Sequence, residues 1–277
     1  MIDLHTHSDF SDGTYSPAQL VAQAQALGLS AIALCDHNTV EGLPDFLAAG
    51  QGSSVETIPG VEFSTEFEEQ ELHILALFVH PEDYAPITRK MEDFRLRKER
   101  SNEELVAALR KLGMDIDYRQ IREKAEGYVN RAVIGAELTR KGYTTSVKEA
   151  FEKYLSPKRG YYVPPKRLDA CETVAFIKSL GAAAVWAHPF LDLDEAGVRR
   201  FLPGAVEAGL DGMEVLYPKY SEQTMALAAR IAEEFGILPS GGSDFHGENK
   251  PDIRLGTGRD NLSIPESFLE NLRTRKK

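Results

Sequence analysis

Seven histidines occur in the 277-residue chain. Six of them fall where the apolar pattern predicts the end or flank of a strand. His5 and His7 close the opening strand as H-T-H. Residues i and i+2 of a strand point to one face, so both imidazoles reach a common point. Asp12 follows in the next loop, and His37 follows Asp36 at the end of a short apolar run. Glu62 ends a third run, His73 stands near the front of a fourth, and His188 follows Ala182–Ala187. Asp244 and His246, as D-F-H, close the last run with the same i, i+2 spacing. Neutral imidazoles beside carboxylates suit Zn2+, Mn2+ or Fe2+, and these nine residues are enough for two or three divalent ions. Clustered ions of that kind lower the pKa of bound water and hold phosphoryl oxygens. A lone buried histidine is more often a core residue than a ligand. Six at strand ends, with acidic neighbours, point to one shared site. His80, in Val-His-Pro, reads as a surface or loop residue.

For these side chains to meet, the strands that carry them must end on one face, as they do in a parallel α/β barrel. The pattern predicts strands over 1–7, 30–36, 55–63, 72–79, 182–187, 212–216 and 237–243. Their near-continuous apolar character suits a sheet covered on both faces. Helical periodicity predicts helices over 17–27, 39–49, 171–180, 195–208 and 221–235, the first opened by Ser16-Pro17 and ended by Gly28. His73 is the exception, because it precedes its apolar run. A bulged or antiparallel strand is needed to bring it in. Glu214 also ends a predicted strand, and is read as a structural ion pair, with a supporting partner of the site as the alternative.

Residues 86–167 break the alternation. Four amphipathic helices are expected there, over 86–112, 117–126, 131–141 and 146–154, followed by a Pro-Lys-Arg-Gly loop at 157–160. This segment holds 20 Lys/Arg and 12 Asp/Glu, a net of +8, whereas the whole chain carries −11. The rest is therefore at −19. The expected organisation is an α/β domain formed by 1–85 and 168–277 with a helical basic insert, 86–167. An anionic substrate would be drawn toward the insert. Arg131, Lys158 and Arg159 are its candidate phosphate ligands, and Tyr161, beside Tyr162, offers a face for a base.

The two cysteines cannot form a disulfide framework, and Cys35 reads as a buried reduced thiol. The N-terminal residues show no signal-peptide pattern, and no apolar run approaches a membrane span. The cytoplasm is the expected compartment. Neither membrane nor obligate protein partner is expected. No P-loop, dinucleotide fingerprint or nucleophile elbow occurs.

The motifs D-L-H-T-H-S at 3–8, Asp12-Gly13-Thr14, Cys35-Asp36-His37-Asn38, Gly60-Val61-Glu62, Leu72-His73-Ile74, Ala187-His188-Pro189 and 242–247 (G-S-D-F-H-G) together resemble the PHP (polymerase and histidinol phosphatase) family. The resemblance implies a distorted (βα)7 TIM-like barrel with a di- or trinuclear metal site. It implies one ion at His5, His7, Glu62 and Asp244, a second at Asp12, His37 and His246, and a third at Glu62, His73 and His188. It also implies hydrolysis of a phosphate ester by a metal-bridged hydroxide. Gly127-Tyr128-Val129-Asn130-Arg131 and Tyr161-Tyr162-Val163-Pro164 resemble the insert of a subgroup acting on nucleoside 3′,5′-bisphosphates or on RNA 5′ ends. Those relatives commonly read Gly-Arg-Pro-His where this chain reads Val129-Asn130-Arg131-Ala132, so only the arginine is shared.

The leading expectation is a phosphatase that removes the 3′-phosphate of a nucleoside 3′,5′-bisphosphate. A 5′-3′ exoribonuclease on short RNA stands beside it. Histidinol phosphatase is weaker, because its substrate does not call for a basic insert. Metal-dependent C–N or C–O hydrolysis is a separate class, but no lysine ends a predicted strand, as barrels of that type typically require. A non-catalytic nucleic-acid-binding domain would have no use for nine ligands.

Overall fold

The computed structural model describes residues 1–124, 129 and 131–275. They divide into two compact units, one of Met1–Arg89 with Arg167–Lys277 and one of Lys90–Lys166. The chain opens with β1 (Ile2–Thr6), α1 (Pro17–Ala26), β2 (Ala31–Leu34), α2 (Leu43–Gly50) and a hairpin of β3 (Glu56–Phe67) and β4 (Gln70–Leu77). The helices α3 (Tyr84–Lys111), α4 (Tyr118–Lys124), α5 (Arg131–Arg140) and α6 (Val147–Ala150) follow, and a π-helical turn, Phe151–Leu155, extends the last. Then come β5 (Leu168–Asp169), α7 (Ala170–Ser179), β6 (Ala183–Ala187), α8 (Pro189–Asp192), α9 (Glu195–Glu207), β7 (Gly212–Leu216), α10 (Glu222–Glu234), β8 (Leu238–Gly241) and α11 (Glu266–Arg273).

Local chemistry explains most of these boundaries. Ser16 caps α1 in a reciprocal box with Gln19: the Gln19 amide donates to Ser16 Oγ at 3.3 Å, and Gln19 Oε1 accepts from the Ser16 amide at 2.8 Å. Gly28, at φ +70°, carries the chain out of the helix. Every residue of β2 and β6 is buried, as expected of strands covered on both faces.

The sheet runs β1-β2-β3-β4-β6-β7-β8, with β5 pairing β3 off this path. It curls so that its two ends meet: the His7 amide donates to the Phe245 carbonyl at 2.9 Å, and the Asp244 amide to the His5 carbonyl at 2.8 Å. The fold is therefore α/β with a curled sheet. It departs from a regular (βα)7 repeat at β4, which pairs antiparallel with both β3 and β6. The β3–β4 connection is the two-residue turn Glu68-Glu69, both at positive φ, and so short a link permits only antiparallel strands. Reversal puts the front of β4 beside the ends of its neighbours, with His73 opposite Ser64 on one side and Ala187 on the other.

Further down the same strand faces, Ile58, Leu75 and Leu77 are buried and pack with Ala183, Val185 and the α11 residues Leu269 and Leu272. The unit of Lys90–Lys166 has its own core, in which Leu105, Leu109, Ile121, Ile134, Leu138 and Leu155 cluster. The predicted helices at 86–112, 131–141 and 146–154 correspond to α3, α5 and α6 with its π turn. Residues 125 and 126 of the helix expected over 117–126 lie outside the described residues, as do Gly127, Tyr128 and Asn130.

Asp3 fastens the closure of the sheet. Its carboxylate is fully buried and accepts from the amides of Ser243 (2.8 Å), Gly256 (2.8 Å) and His5 (3.3 Å). Hydrogen bonds to a charged group are each worth about 1.5–3 kcal/mol, and a buried amide left without an acceptor adds its own cost. Asp3→Ala is therefore expected to destabilise the protein by about 3 kcal/mol or more in urea titration, and Asp3→Asn by less. An unchanged midpoint for Asp3→Ala would show that these bonds do not hold the closure.

Candidate metal centre

All nine sequence-derived ligand residues converge at the closed end of the curled sheet. His5 and His7 end β1 with Nε2 atoms 3.0 Å apart. The loop carrying Asp12 is folded by Asp36, which accepts from the Ser8 amide (2.7 Å), Ser8 Oγ (2.6 Å) and Ser11 Oγ (2.6 Å). Gly13 is needed there, because a Cβ would lie 2.4 Å from the His7 carbonyl oxygen. His37 bridges in parallel to Glu62. His188 and Asp244 both adopt positive φ, +34° and +53°, a cost that surrounding hydrogen bonds must offset. The His188 amide donates to Glu214 Oε2 at 2.7 Å. His246 Nδ1 donates to the Asp244 carbonyl at 2.8 Å, leaving Nε2 toward Asp12 at 3.1 Å.

Glu62 is the hub. Its Oε2 lies 2.9 Å from His37 Nδ1, 3.3 Å from His7 Nε2 and 3.4 Å from His5 Nε2. Its Oε1 lies 2.9 Å from His73 Nδ1 and 3.2 Å from His188 Nε2. Outer carboxylates face the far nitrogens of three of these rings: Glu214 Oε1 on His5 Nδ1 at 3.0 Å, Glu71 on His73 Nε2 at 3.6 Å and Asp192 on His188 Nδ1 at 3.5 Å. This is the carboxylate–histidine relay that orients metal-ligating imidazoles.

Electrostatics follow the same geometry. Burial pushes the Glu62 carboxyl up, but His37, His73, His5 and the His188 hydrogen bond together hold it well below the carboxylate range. Burial likewise opposes Asp244, yet the hydrogen bond from His7 and the charges of His5 and Lys250 keep it well below its ordinary value. Burial dominates at His7 and lowers it to about 3. At His73, burial is outweighed by Glu62 and Glu71, and the ring rises to about 10. Burial at His188 is outweighed by Asp192 and Glu62, raising it to about 9.

The donor set fits divalent cations. Three groups of ligand atoms lie within 4.8 Å of one another: His7, Asp12, His37 and His246; His5, His7 and Asp244; and His37, Glu62 and His73. His37 Nδ1, His73 Nδ1, His246 Nε2 and Glu62 Oε2 are buried with no hydrogen-bond partner, although His37 Nδ1 and Glu62 Oε2 lie 2.9 Å apart. Buried polar atoms crowded together with few hydrogen bonds among them are a cost unless a cation lies among them. Asp12, with its side chain 56% exposed, marks the open side.

A PHP domain model matches residues 3–156. The chain belongs to the PHP family. Among PHP relatives, a 5′-3′ exoribonuclease of Haemophilus influenzae is 32% identical, covering 88% of this chain and 89% of its own. A 3′,5′-nucleoside bisphosphate phosphatase of Chromobacterium violaceum is 29% identical, covering 91% and 90%. A solved structure from Bifidobacterium adolescentis, described as a metal-dependent phosphoesterase, superposes with a TM-score of 0.74 at 26% identity, over 100% of this chain and 96% of that one. As a PHP protein with this donor set, the chain is a metal-dependent phosphoester hydrolase. Among the described residues, no helix is long and apolar enough to cross a membrane.

The geometric groups differ in membership from the ligand sets that the resemblance implies. His7 and His37 each belong to two of the groups, while Glu62 falls outside the group of His5, His7 and Asp244, and His188 falls outside all three but lies 3.2 Å from Glu62 Oε1. Glu214 follows the second of its two readings, a supporting partner rather than a structural ion pair, since it braces His5 and the His188 backbone. Sequence reasoning missed Tyr217 and Lys250, which both donate to Asp244 Oδ2, at 2.8 and 2.7 Å. Tyr217, just past a strand end, carried a weak signal; Lys250, six residues beyond Asp244, carried none. His80 is exposed, as read.

The insert residues are placed within their own unit. Lys158 and Arg159 are exposed and Tyr161 is half-buried. Arg131 is packed: its guanidinium lies 4.5 Å from the Tyr162 ring centre and 5.4 Å from that of Phe151, and Nη1 donates to the Leu155 carbonyl at 3.2 Å. It ties together both ends of the loop that carries Lys158 and Arg159.

Proposed function

We propose that this protein removes the 3′-phosphate of a nucleoside 3′,5′-bisphosphate, using two or three divalent ions, Mn2+, Zn2+ or Fe2+, held by His5, His7, Asp12, His37, Glu62, His73, His188, Asp244 and His246. The observation that carries the reading is Glu62, a fully buried carboxylate in contact with five imidazoles, each from a different strand end or loop position. When bound, ions in this cluster supply an acidified water and charge neutralisation for phosphoryl oxygens. The protein's own part is orientation. Glu214, Glu71 and Asp192 turn His5, His73 and His188 so that one nitrogen of each faces Glu62. The half-exposed Asp12 leaves one side open to substrate.

Charge supports the substrate class. A segment at net +8 beside a remainder at −19 favours a ligand with more than one anionic group. Lys158 and Arg159 are the exposed cations proposed to meet the second phosphate, Tyr161 is available to a base, and Arg131 holds their loop in shape. A 5′-3′ exoribonuclease activity on short RNA is the second reading, favoured by the 32% identity to the Haemophilus influenzae enzyme over 88% of the chain.

The test compares substrates and variants. With Mn2+, inorganic phosphate should be released from a nucleoside 3′,5′-bisphosphate faster than from a nucleoside 5′-monophosphate. A charge-assisted contact is worth about 1.5–3 kcal/mol, so the double variant Lys158→Ala/Arg159→Ala should lower kcat/KM for the bisphosphate by roughly 10- to 100-fold. The same variant should leave p-nitrophenyl phosphate nearly untouched. Equal losses on both would remove the loop from recognition. Mononucleotide release from 5′-phosphorylated RNA with no action on the bisphosphate would favour the second reading.

A further inference from the structure

We infer that Tyr217 and Lys250 form a two-donor clamp that decides which oxygen of Asp244 faces the imidazoles, and that both are positioning residues of the metal centre. The inference rests on the reading that Asp244 is a metal ligand. A free aspartate presents either oxygen, or both, with little preference. At Asp244 the two oxygens have separate surroundings. Oδ2 accepts from Tyr217 Oη at 2.8 Å and from Lys250 Nζ at 2.7 Å. Oδ1 faces His7 Nε2 at 3.2 Å, His246 Nδ1 at 3.4 Å and His5 Nε2 at 3.8 Å. With Oδ2 saturated from outside, Oδ1 is the oxygen left for the cluster, and a one-oxygen contact is selected over a two-oxygen one.

The setting makes such a clamp necessary. Asp244 is held at φ +53°, a conformation that a non-glycine residue keeps only when its surroundings over-determine it. Tyr217 is itself fixed: it is 1% exposed, with its ring centre 5.2 Å from that of Tyr220 and 5.3 Å from that of His188. It lies three residues past Glu214, so the end of β7 braces His5, the His188 backbone and Asp244 without itself supplying one of the nine ligands. Lys250 comes from the opposite direction, out of the turn that follows His246, and its side chain is 30% exposed. Its ammonium contributes a strong, charge-assisted bond to a carboxylate that would otherwise be steered by the neutral tyrosine hydroxyl alone.

Lys250→Met, Lys250→Arg and Tyr217→Phe test the clamp in the full-length protein. Metal is stripped with a chelator, and Mn2+ is titrated back against a fluorescent indicator. Loss of an outer partner of a metal ligand typically weakens affinity by roughly 10- to 100-fold. Lys250→Met and Tyr217→Phe are each expected to show a loss of that size in one class of Mn2+ site, and Lys250→Arg to recover most of it. At saturating Mn2+, kcat should fall while KM changes little. Because Lys250 is partly exposed, its variants report even if Tyr217→Phe fails to fold. Wild-type Mn2+ affinity in Lys250→Met, a gain in affinity, or a defect confined to KM would overturn the clamp and place Lys250 on the substrate instead. A wild-type protein that takes up no Mn2+ would overturn the metal reading itself, and this inference with it.

Discussion

Glu62→Gln is expected to lower kcat by about 1000-fold or more, a loss of roughly 4 kcal/mol in transition-state stabilisation. Glutamine keeps the shape but replaces one oxygen with a nitrogen that bears two protons. Whichever side that nitrogen takes, it meets imidazole nitrogens at 2.9–3.4 Å, either those of His37, His7 and His5 or those of His73 and His188. The variant also removes a negative charge from a position in contact with five imidazoles. Bound metal measured by elemental analysis should fall together with turnover. Near-wild-type turnover with full metal content would show that Glu62 is not the hub of the site.

Stripping divalent metal should abolish phosphate release, and adding Mn2+ should restore it. The restoration carries a second signature, because ligation requires neutral imidazoles. In the metal-free protein His73 and His188 are raised to about 10 and about 9, and His5 is also raised, burial being outweighed by Glu62 and Glu214. His73 and His188 are therefore protonated at pH 7, whereas His7, lowered to about 3, is already neutral. Metal uptake at pH 7 should release protons, seen in calorimetry as a heat that changes with the ionisation enthalpy of the buffer. Lowering the pH below 7 should weaken metal uptake, since the protons already on His73 and His188 must then be released against a higher proton activity. Buffer-independent heats, or activity that survives verified metal removal, would refute this account.

How much of this was legible in advance follows from the range of the interactions. Part of the candidate ligand set was written in local spacing: H-T-H at 5–7 places two side chains on one face of an extended chain, whereas D-F-H at 244–246, expected to close a strand, lies past β8 with Asp244 at φ +53°. The elements around them were also local. The helix predicted over 195–208 is observed at 195–207, and the strand predicted over 212–216 is observed there, because apolar period and caps act within a few residues. Three short or terminal elements, β5, α8 and α11, left too little periodicity to be read.

What depended on distant pairing was decided by the tertiary structure. The direction of β4 hung on a turn, Glu68-Glu69, with neither glycine nor asparagine to announce its positive φ, so the sequence posed the problem of His73 without resolving it. Glu214 lies 209 residues from His5, and only closure of the sheet makes it a brace. Arg131, by residue type a candidate phosphate ligand, also packs on Tyr162 and donates to the Leu155 carbonyl, because a planar guanidinium near an aromatic ring and an open carbonyl finds both once the insert folds. The sequence thus determined which side chains are the candidate ligands, through residue type and short-range spacing. The tertiary structure determined which oxygen or nitrogen of each faces inward, because that choice belongs to partners that are neighbours only after the chain has folded.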